Sequence, residues 1–543
     1  MSTHIEKVSQ WIHDIRYEDI PLDVVLIAKA QFADFISAII AGAQSTVGIK
    51  IIDSCRNTWH DGPCTFIPED KSLDLYSTVY LHAVLANAIE FDNLVFMGHV
   101  SQSSVSVPLA MGEKLGSSTN DILLAQIVAT EVAGRMGAYF ALGPQQGHMR
   151  SYLHRVASTA ACCKLLSCDV EITSRAMAIA LSMPEFPLYP AAFSPDTKAL
   201  CTGAPSVEGI KSTYLAMNDV DASLDILENP VGFYSFLTYV DKMPDVWGQI
   251  GKSWSLYALS SKMSPSCAYA QSSVQAVEEI LSNQEINPKE INKIRVRAPI
   301  TTVAMEAFSK PHNDQVTVVN TNFSTKRSIA ATLISRKLTS HFFTPEVFNE
   351  ARDEISSIAD KVELLHDWNL SVALIKGIDK AIVGAGKPGV FGMGQTEKTF
   401  KKFKESFGSR KLFTISDFYN IAILPSLNRN YLLKRMWKSK RYKLPFLNPE
   451  KKNNYRSFEG DLSKFEFAQS SIISIKLKDG KLFDSRCDIP KGFAGDPSRL
   501  ENIREKFIKE VKNMIGKDTA EIMYNDILEL PKTNVSTILN YLR

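Results

Sequence analysis

Glu90 and Asp92 stand two residues apart in Asn87-Ala88-Ile89-Glu90-Phe91-Asp92-Asn93, directly after the apolar run Val79, Ala83, Leu85, Ala86, Ile89. Part of such a run has to leave water. A half-buried carboxyl at its end can have its pKa shifted toward an acid–base role. His148 lies in Gly143-Pro144-Gln145-Gln146-Gly147-His148, a glycine-rich connection between two helical patterns, where backbone and imidazole can approach a ligand. Lys198, in Asp196-Thr197-Lys198-Ala199-Leu200-Cys201-Thr202-Gly203, precedes a helix start and could hold a substrate carboxylate there. Lys262, ahead of Pro265 and a helical pattern over 265–282, is another cation at a helix start. Taken singly, each lysine is an ordinary surface residue and His148 an ordinary loop histidine. What sets them apart is that all of them, with the two acids, fall on loops at helix ends.

The elements that must carry these loops are mostly helical. Pro21 sits at a first helical position, and Val24, Ile27, Ala28, Phe35 and Ile39 recur at helical spacing as far as Gly42. Similar patterns cover about 72–89, 119–140, 152–166, 171–183 and 205–217, the second opened by the capping run Ser118-Thr119-Asn120-Asp121. Near 290 the texture changes. Ile294-Arg295-Val296-Arg297 alternates as a strand does, and Ile473, Ile475 and Leu477 alternate ahead of the hairpin signal Asp479-Gly480. Helical patterns at 265–282 and 327–338 mix with these strands, which predicts a smaller α+β unit. From about 498 the pattern Ile503, Phe507, Val511, Ile515 returns to helix.

At 543 residues the chain is long for one core, so two or more domains are expected. A formal net charge of +2 supplies no global field to draw nucleic acid or an anionic membrane. Locally, Arg429–Arg456 holds ten Lys or Arg against one acid, Glu450, with Tyr431, Trp437, Tyr442, Phe446 and Tyr455 interleaved. Such a patch could meet single-stranded nucleic acid or a membrane surface; the reading adopted is a solvated insertion that does not define function, so no nucleic acid partner is expected. The apolar stretch Val24–Ala41 contains Lys29, Gln31 and Asp34, and reads as a buried helix with no membrane span. Met1–Lys7 has the features of neither a signal nor a transit peptide, so the expected residence is cytoplasmic. The eight cysteines form no Cys-x-x-Cys pair, which fits free thiols and no structural zinc.

The order of these segments resembles the MmgE/PrpD family. The likeness begins at Tyr17-Glu18-Asp19-Ile20-Pro21 and the helix ending Ala38-Ile39-Ile40-Ala41-Gly42. It runs through Asn87–Asp92, Val105-Ser106-Val107-Pro108, Gly147-His148 with the helix to Leu166, Thr197-Lys198-Ala199-Leu200, and Lys262–Pro265. Ile473–Gly480 and Pro490-Lys491-Gly492 complete it. The resemblance implies a mainly α protein with an α+β lid. A discontinuous all-helical domain (1–257 and 498–543) would enclose the lid (258–384 with a return strand in 469–497), and 385–468 would be the insertion. It further implies a homodimer and cofactor-free proton transfer next to a carboxylate in a pocket between domain and lid, with no metal.

On that resemblance His148 is the expected acid–base residue, assisted by Glu90 and Asp92, while Lys198 and Lys262 bind anionic oxygens. The chain also departs from the family pattern. Glu90 replaces an Asp, Leu94 a Thr, Ser101 a His (with His99 close enough to substitute), Cys201 a second His, and Arg327 a Tyr. Leu94, His99, Ser101, Cys201 and Arg327, with Lys198 and Lys262, form the expected substrate-binding set. The reading is a lyase or isomerase performing dehydration, decarboxylation, isomerisation or cyclisation on a carboxylate- or carbonyl-bearing small molecule, in specialised metabolism. The alternative is a non-catalytic relative serving as a binding or partner subunit.

Overall fold

The computed structural model describes residues 2–96, 98–137, 151–183, 185, 188–229, 232–234, 244–309, 315–383, 456–457 and 460–543. His148, Met97 and nearly all of the basic insertion lie outside the described residues.

The protein is mainly α with a small α+β part. Helix α1 (Leu22–Ala43) is apolar on every face and correspondingly buried. By length and composition it could cross a membrane, yet 89% of its most apolar window is buried inside the protein. Pro21 is its N-cap and not its first turn, a shift of one residue. Next comes α2 (Leu75–Asn87), which starts later than the periodicity predicts because Asp61–Phe66 and Lys71–Leu73 pair as a hairpin before it. Asp74 caps α2 by accepting from Tyr76 N and Ser77 N. The short strand β1 (Asn93–Val95) and helix α3 (Ser101–Ser104) follow, then α4 (Thr119–Gly137), α5 (Tyr152–Leu165) and α6 (Gly203–Met217). Adjacent helices of this series pack directly, α4 on α5 and α5 on α6.

After strand β2 (Leu259–Ser261), helix α7 (Gln271–Asn283) begins six residues beyond Pro265, because 262–270 is a turn held by the Gln271 side chain. Strands β3 (Ile291–Ala298), β4 (Val362–His366), β5 (Ser471–Leu477) and β6 (Leu482–Cys487) form a sheet in the order β6-β5-β3-β4. Only the β3–β4 pair is parallel. Ile294, Val296, Ile473 and Ile475 point into the core while Arg295 and Arg297 point out, which is the alternation the sequence displays. Helix α7 covers the sheet, and α8 (Thr325–Ser335) packs on α7. The last long helix, α9 (Arg499–Ile515), packs on α1, joining the two ends of the chain.

The α1–α2 crossing is close. A Cβ built on Gly42 would lie 1.9 Å from the carbonyl oxygen of Leu85. Backbone cannot yield as a side chain tip does, so Gly42→Ala is expected to cost about 1–3 kcal/mol and lower the thermal midpoint by several degrees. An unchanged midpoint in calorimetry would show that the helices separate freely.

Candidate active site

The site grows out of the end of α2. After Asn87 the helix stops, and Glu90 adopts φ 55°, in the left-handed region that non-glycine residues seldom enter. The chain turns there and enters β1, which pairs antiparallel with β2 in the register Asn93↔Ser261. In an antiparallel pair the residue before one partner faces the residue after the other. Asp92 and Lys262 are therefore opposed, and Lys262 Nζ lies 2.7 Å from Asp92 Oδ1. The same ammonium is 2.8 Å from Glu90 Oε2. Lys262 thus sits past the end of a strand, not at a helix start as its spacing from Pro265 predicts.

Lys198 reaches the other oxygen of Glu90 from the turn Asp196–Cys201. Its ammonium also donates to Asn87 O at 3.0 Å and Asn87 Oδ1 at 2.6 Å, while Asn87 Nδ2 returns bonds to Lys198 O and Ala199 O. Asn87 is what ties the 196–201 turn to the helix end. Both lysines and both acids are almost fully buried. Burial opposes ionisation of Glu90, but Lys198 and Lys262 outweigh it and bring its pKa down to about 2. Burial likewise opposes a charge on Asp92, and Lys262 and His99 overcome it, holding that carboxyl well below its ordinary range.

His99 completes the group. Its Nδ1 lies 2.5 Å from Asp92 Oδ2, which also accepts from Gln102 Nε2 at 2.8 Å. Burial lowers the His99 pKa more than Asp92 raises it, so the imidazole is neutral at pH 7. A neutral ring that donates Nδ1–H to a carboxylate carries its lone pair on Nε2, the arrangement of an oriented general base. A second imidazole, His154 at the start of α5, accepts from or donates to Ser103 Oγ at 3.0 Å. Burial, then the proximity of His99, push His154 down to about 3.

A second ion pair braces the first from behind. Asp34 of α1 accepts from Asn93 Nδ2 at 2.8 Å and from Ser261 Oγ, so it bonds both strands of the β1–β2 pair. Lys506 of α9 meets Asp34 at 2.8 Å, donates to Phe91 O at 2.5 Å and lies 3.8 Å over the Phe91 ring. Phe91 is the residue between the two acids, so both chain ends clamp the segment that carries them.

Of the expected residues, the structure gathers Glu90, Asp92, His99, Lys198 and Lys262. Cys201 lies beside them, its thiol 3.4 Å from Asn87 Nδ2 and its pKa raised by burial. Ser101 is buried at the start of α3. Leu94 belongs to an apolar core with Val95 and Phe96. Arg327 stands in the first turn of α8, near Glu306. His148 falls outside the described residues. Gln102, His154, Asp34 and Lys506 were not foreseen; the one signal was an acid and an amide, Asp34 and Gln31, inside an otherwise apolar helix.

Atoms of Glu90, Asp92 and His99 that could ligate a metal lie within 4.8 Å of one another. The Lys262 ammonium already bridges both carboxylates, and a cation entering there would have to displace it.

Residues 6–244 match the model of the MmgE/PrpD N-terminal domain. Similar proteins include cis-aconitate decarboxylase of Homo sapiens, 30% identical over 187 residues, or 33% of this chain and 38% of that protein. The cis-aconitate decarboxylase of Aspergillus terreus is 22% identical over 377 residues, 66% of this chain and 77% of that one. That of Mus musculus is 29% identical over 174 residues, 31% and 35% of the two chains. The match thus spans little more than a third of the mammalian relatives.

Proposed function

We infer that this chain, whose residues 6–244 match the MmgE/PrpD N-terminal domain, is a member of that family and a cofactor-independent acid–base enzyme. The reaction is that of a lyase or isomerase acting on a small molecule bearing a carbonyl or carboxylate group. The observation that carries this reading is the buried Asp92–His99 pair, Nδ1 to Oδ2 2.5 Å, standing beside the Lys262 ammonium.

In this proposal His99 Nε2 removes a proton from the carbon next to the carbonyl. The negative charge that develops on oxygen is met by Lys262, which is held protonated by the two acids. Collapse of the enolate expels a leaving group, or reprotonation elsewhere completes an isomerisation. His148 is proposed as the second proton-transfer group, and the active species as a homodimer. The relatives' names favour a second reading, decarboxylation of cis-aconitate. The buried pair, an ionised Asp92 carboxylate orienting a neutral His99 imidazole, favours a catalytic role over that of a binding scaffold.

The test is deuterium incorporation or product formation in deuterated buffer, followed by NMR, with cis-aconitate and a panel of aldehydes, ketones and lactones. His99→Gln is expected to slow the reaction by about 100-fold or more while the thermal midpoint stays near wild type. A variant as fast as wild type would refute His99 as the base. Absence of turnover by the wild type on every member of the panel would favour the binding-subunit alternative.

A further inference from the structure

Helix α5 closes on a pair of cysteines. After Leu165 the chain turns at Ser167, whose φ of 51° is left-handed. Ser167 N donates to Lys164 O at 3.2 Å, and Cys168 N donates to Cys163 O at 2.9 Å. These two bonds are the Schellman closure of a helix, which brings the side chains of its first and sixth residues together. That contact is commonly apolar. Here both residues are free cysteines, and the Cys163 S–H donates to the Cys168 sulfur.

Their surroundings give the two sulfurs different parts. Cys163 is 1% exposed, with Thr213 Oγ1 of α6 at 3.8 Å. Its bond to Cys168, reinforced by burial, keeps its proton in place. Cys168 is 6% exposed and stands between Ser167 and Asp169, both open to solvent. The bond it accepts from Cys163 lowers its pKa, although burial opposes that. The thiolate is the reactive form of cysteine, so Cys168 is the sulfur that meets an oxidant and Cys163 the one that resolves. Both lie in one small apolar cluster with Ala176, Ile179 and Ala216. Cys162, adjacent in sequence, belongs to the neighbouring core with Leu153 and Ala157.

From this arrangement we propose that Cys163 and Cys168 form an oxidation site, which a peroxide converts to a disulfide and a dithiol reductant reopens. The Cys168 thiolate attacks one peroxide oxygen and the O–O bond breaks, leaving a Cys168 sulfenic acid and one water. The Cys163 sulfur then attacks the Cys168 sulfur. The displaced hydroxide takes the Cys163 proton and leaves as a second water. In sum the two thiols lose two hydrogens and two electrons, and the peroxide gains them. A disulfide needs Cα atoms about 4.4–6.8 Å apart, and the backbone bond between these same two residues already sets them close. The site uses none of Glu90, Asp92 and His99, so it stands or falls independently of the acid–base reading.

The test is hydrogen peroxide added to the folded full chain, followed by capping of remaining thiols with N-ethylmaleimide and tryptic digestion without reductant. Lys164 lies between the two cysteines, so trypsin separates them into Val156–Lys164 and Leu165–Arg175. These peptides are expected to run joined, two hydrogens lighter than their sum, and to part on addition of dithiothreitol. The joined species should persist in Cys162→Ser and be lost in Cys163→Ser and in Cys168→Ser. Should a variant fail to fold, fragment ions of the wild-type species decide, by placing the link at Cys163 or at Cys162. Thiols that stay reduced, a Cys168 that proceeds to sulfinic acid without a link, or a link to Cys162 each overturn the proposal.

Discussion

Lys262→Met is expected to lower folding stability at pH 7 by about 3–5 kcal/mol, because it leaves two buried carboxylates without the ammonium that bridges them. Lys262 is fully buried and bonded to Glu90 at 2.8 Å and Asp92 at 2.7 Å. In the variant Glu90 retains Lys198, while Asp92 retains only His99 and Gln102. The pH dependence follows from the direction of each shift. In the wild type the folded Glu90 titrates near 2, below its ordinary 4.5, so its contribution is present above pH 4.5 and lost as pH falls through 2. In the variant the Asp92 carboxyl loses its strongest cation and its pKa rises. Protonation then relieves the penalty, so the gap between variant and wild type narrows as pH falls from 7 toward 5. Urea unfolding at pH 7, 6 and 5 measures it. A gap that stays constant would mean that the ion bridge is not the origin of the loss.

Asp92→Asn should reduce kcat by about 10²–10⁴-fold through proton transfer, well beyond what its effect on stability would produce. The amide cannot accept from Nδ1–H on both sides as a carboxylate does. It presents a donor to His99, favouring the tautomer in which Nε2 carries the proton and is no longer basic. The control is the double variant Asp92→Asn/His99→Gln. If the two residues act as one unit, the double variant is no slower than His99→Gln alone. Multiplicative losses, or an Asp92→Asn enzyme with wild-type kcat, would separate Asp92 from the base and return the acid–base role to another residue, His148 first.

How much of this structure is legible in the chain depends on how far apart in sequence the interacting residues lie. The helices were legible because apolar spacing of 3–4 residues is a local property, and α1, α5 and α6 lie where it places them. The β5–β6 hairpin was legible for the same reason, with Gly480 at φ 92° in the turn that Asp479-Gly480 announces. The helix start at 265 was misplaced because Pro265 is an ordinary N-terminal signal, and the Gln271 bonds that hold 262–270 as a turn leave no trace in the spacing.

For the site, sequence by itself determined the inventory: two acids a step apart, two lysines on separate loops, a nearby histidine, and an acid stranded in an apolar helix. Only the tertiary structure decided their pairing. The Asn93↔Ser261 register brings Asp92 to Lys262, the left-handed turn at Glu90 points its carboxylate at two ammonium groups, and α9 carries Lys506 to Asp34. Register and helix packing are set by burial summed over many side chains from distant parts of the chain. No window around residue 90 contains that sum, so the lysines read as anion receptors, and folding made them the partners of the protein's own acids.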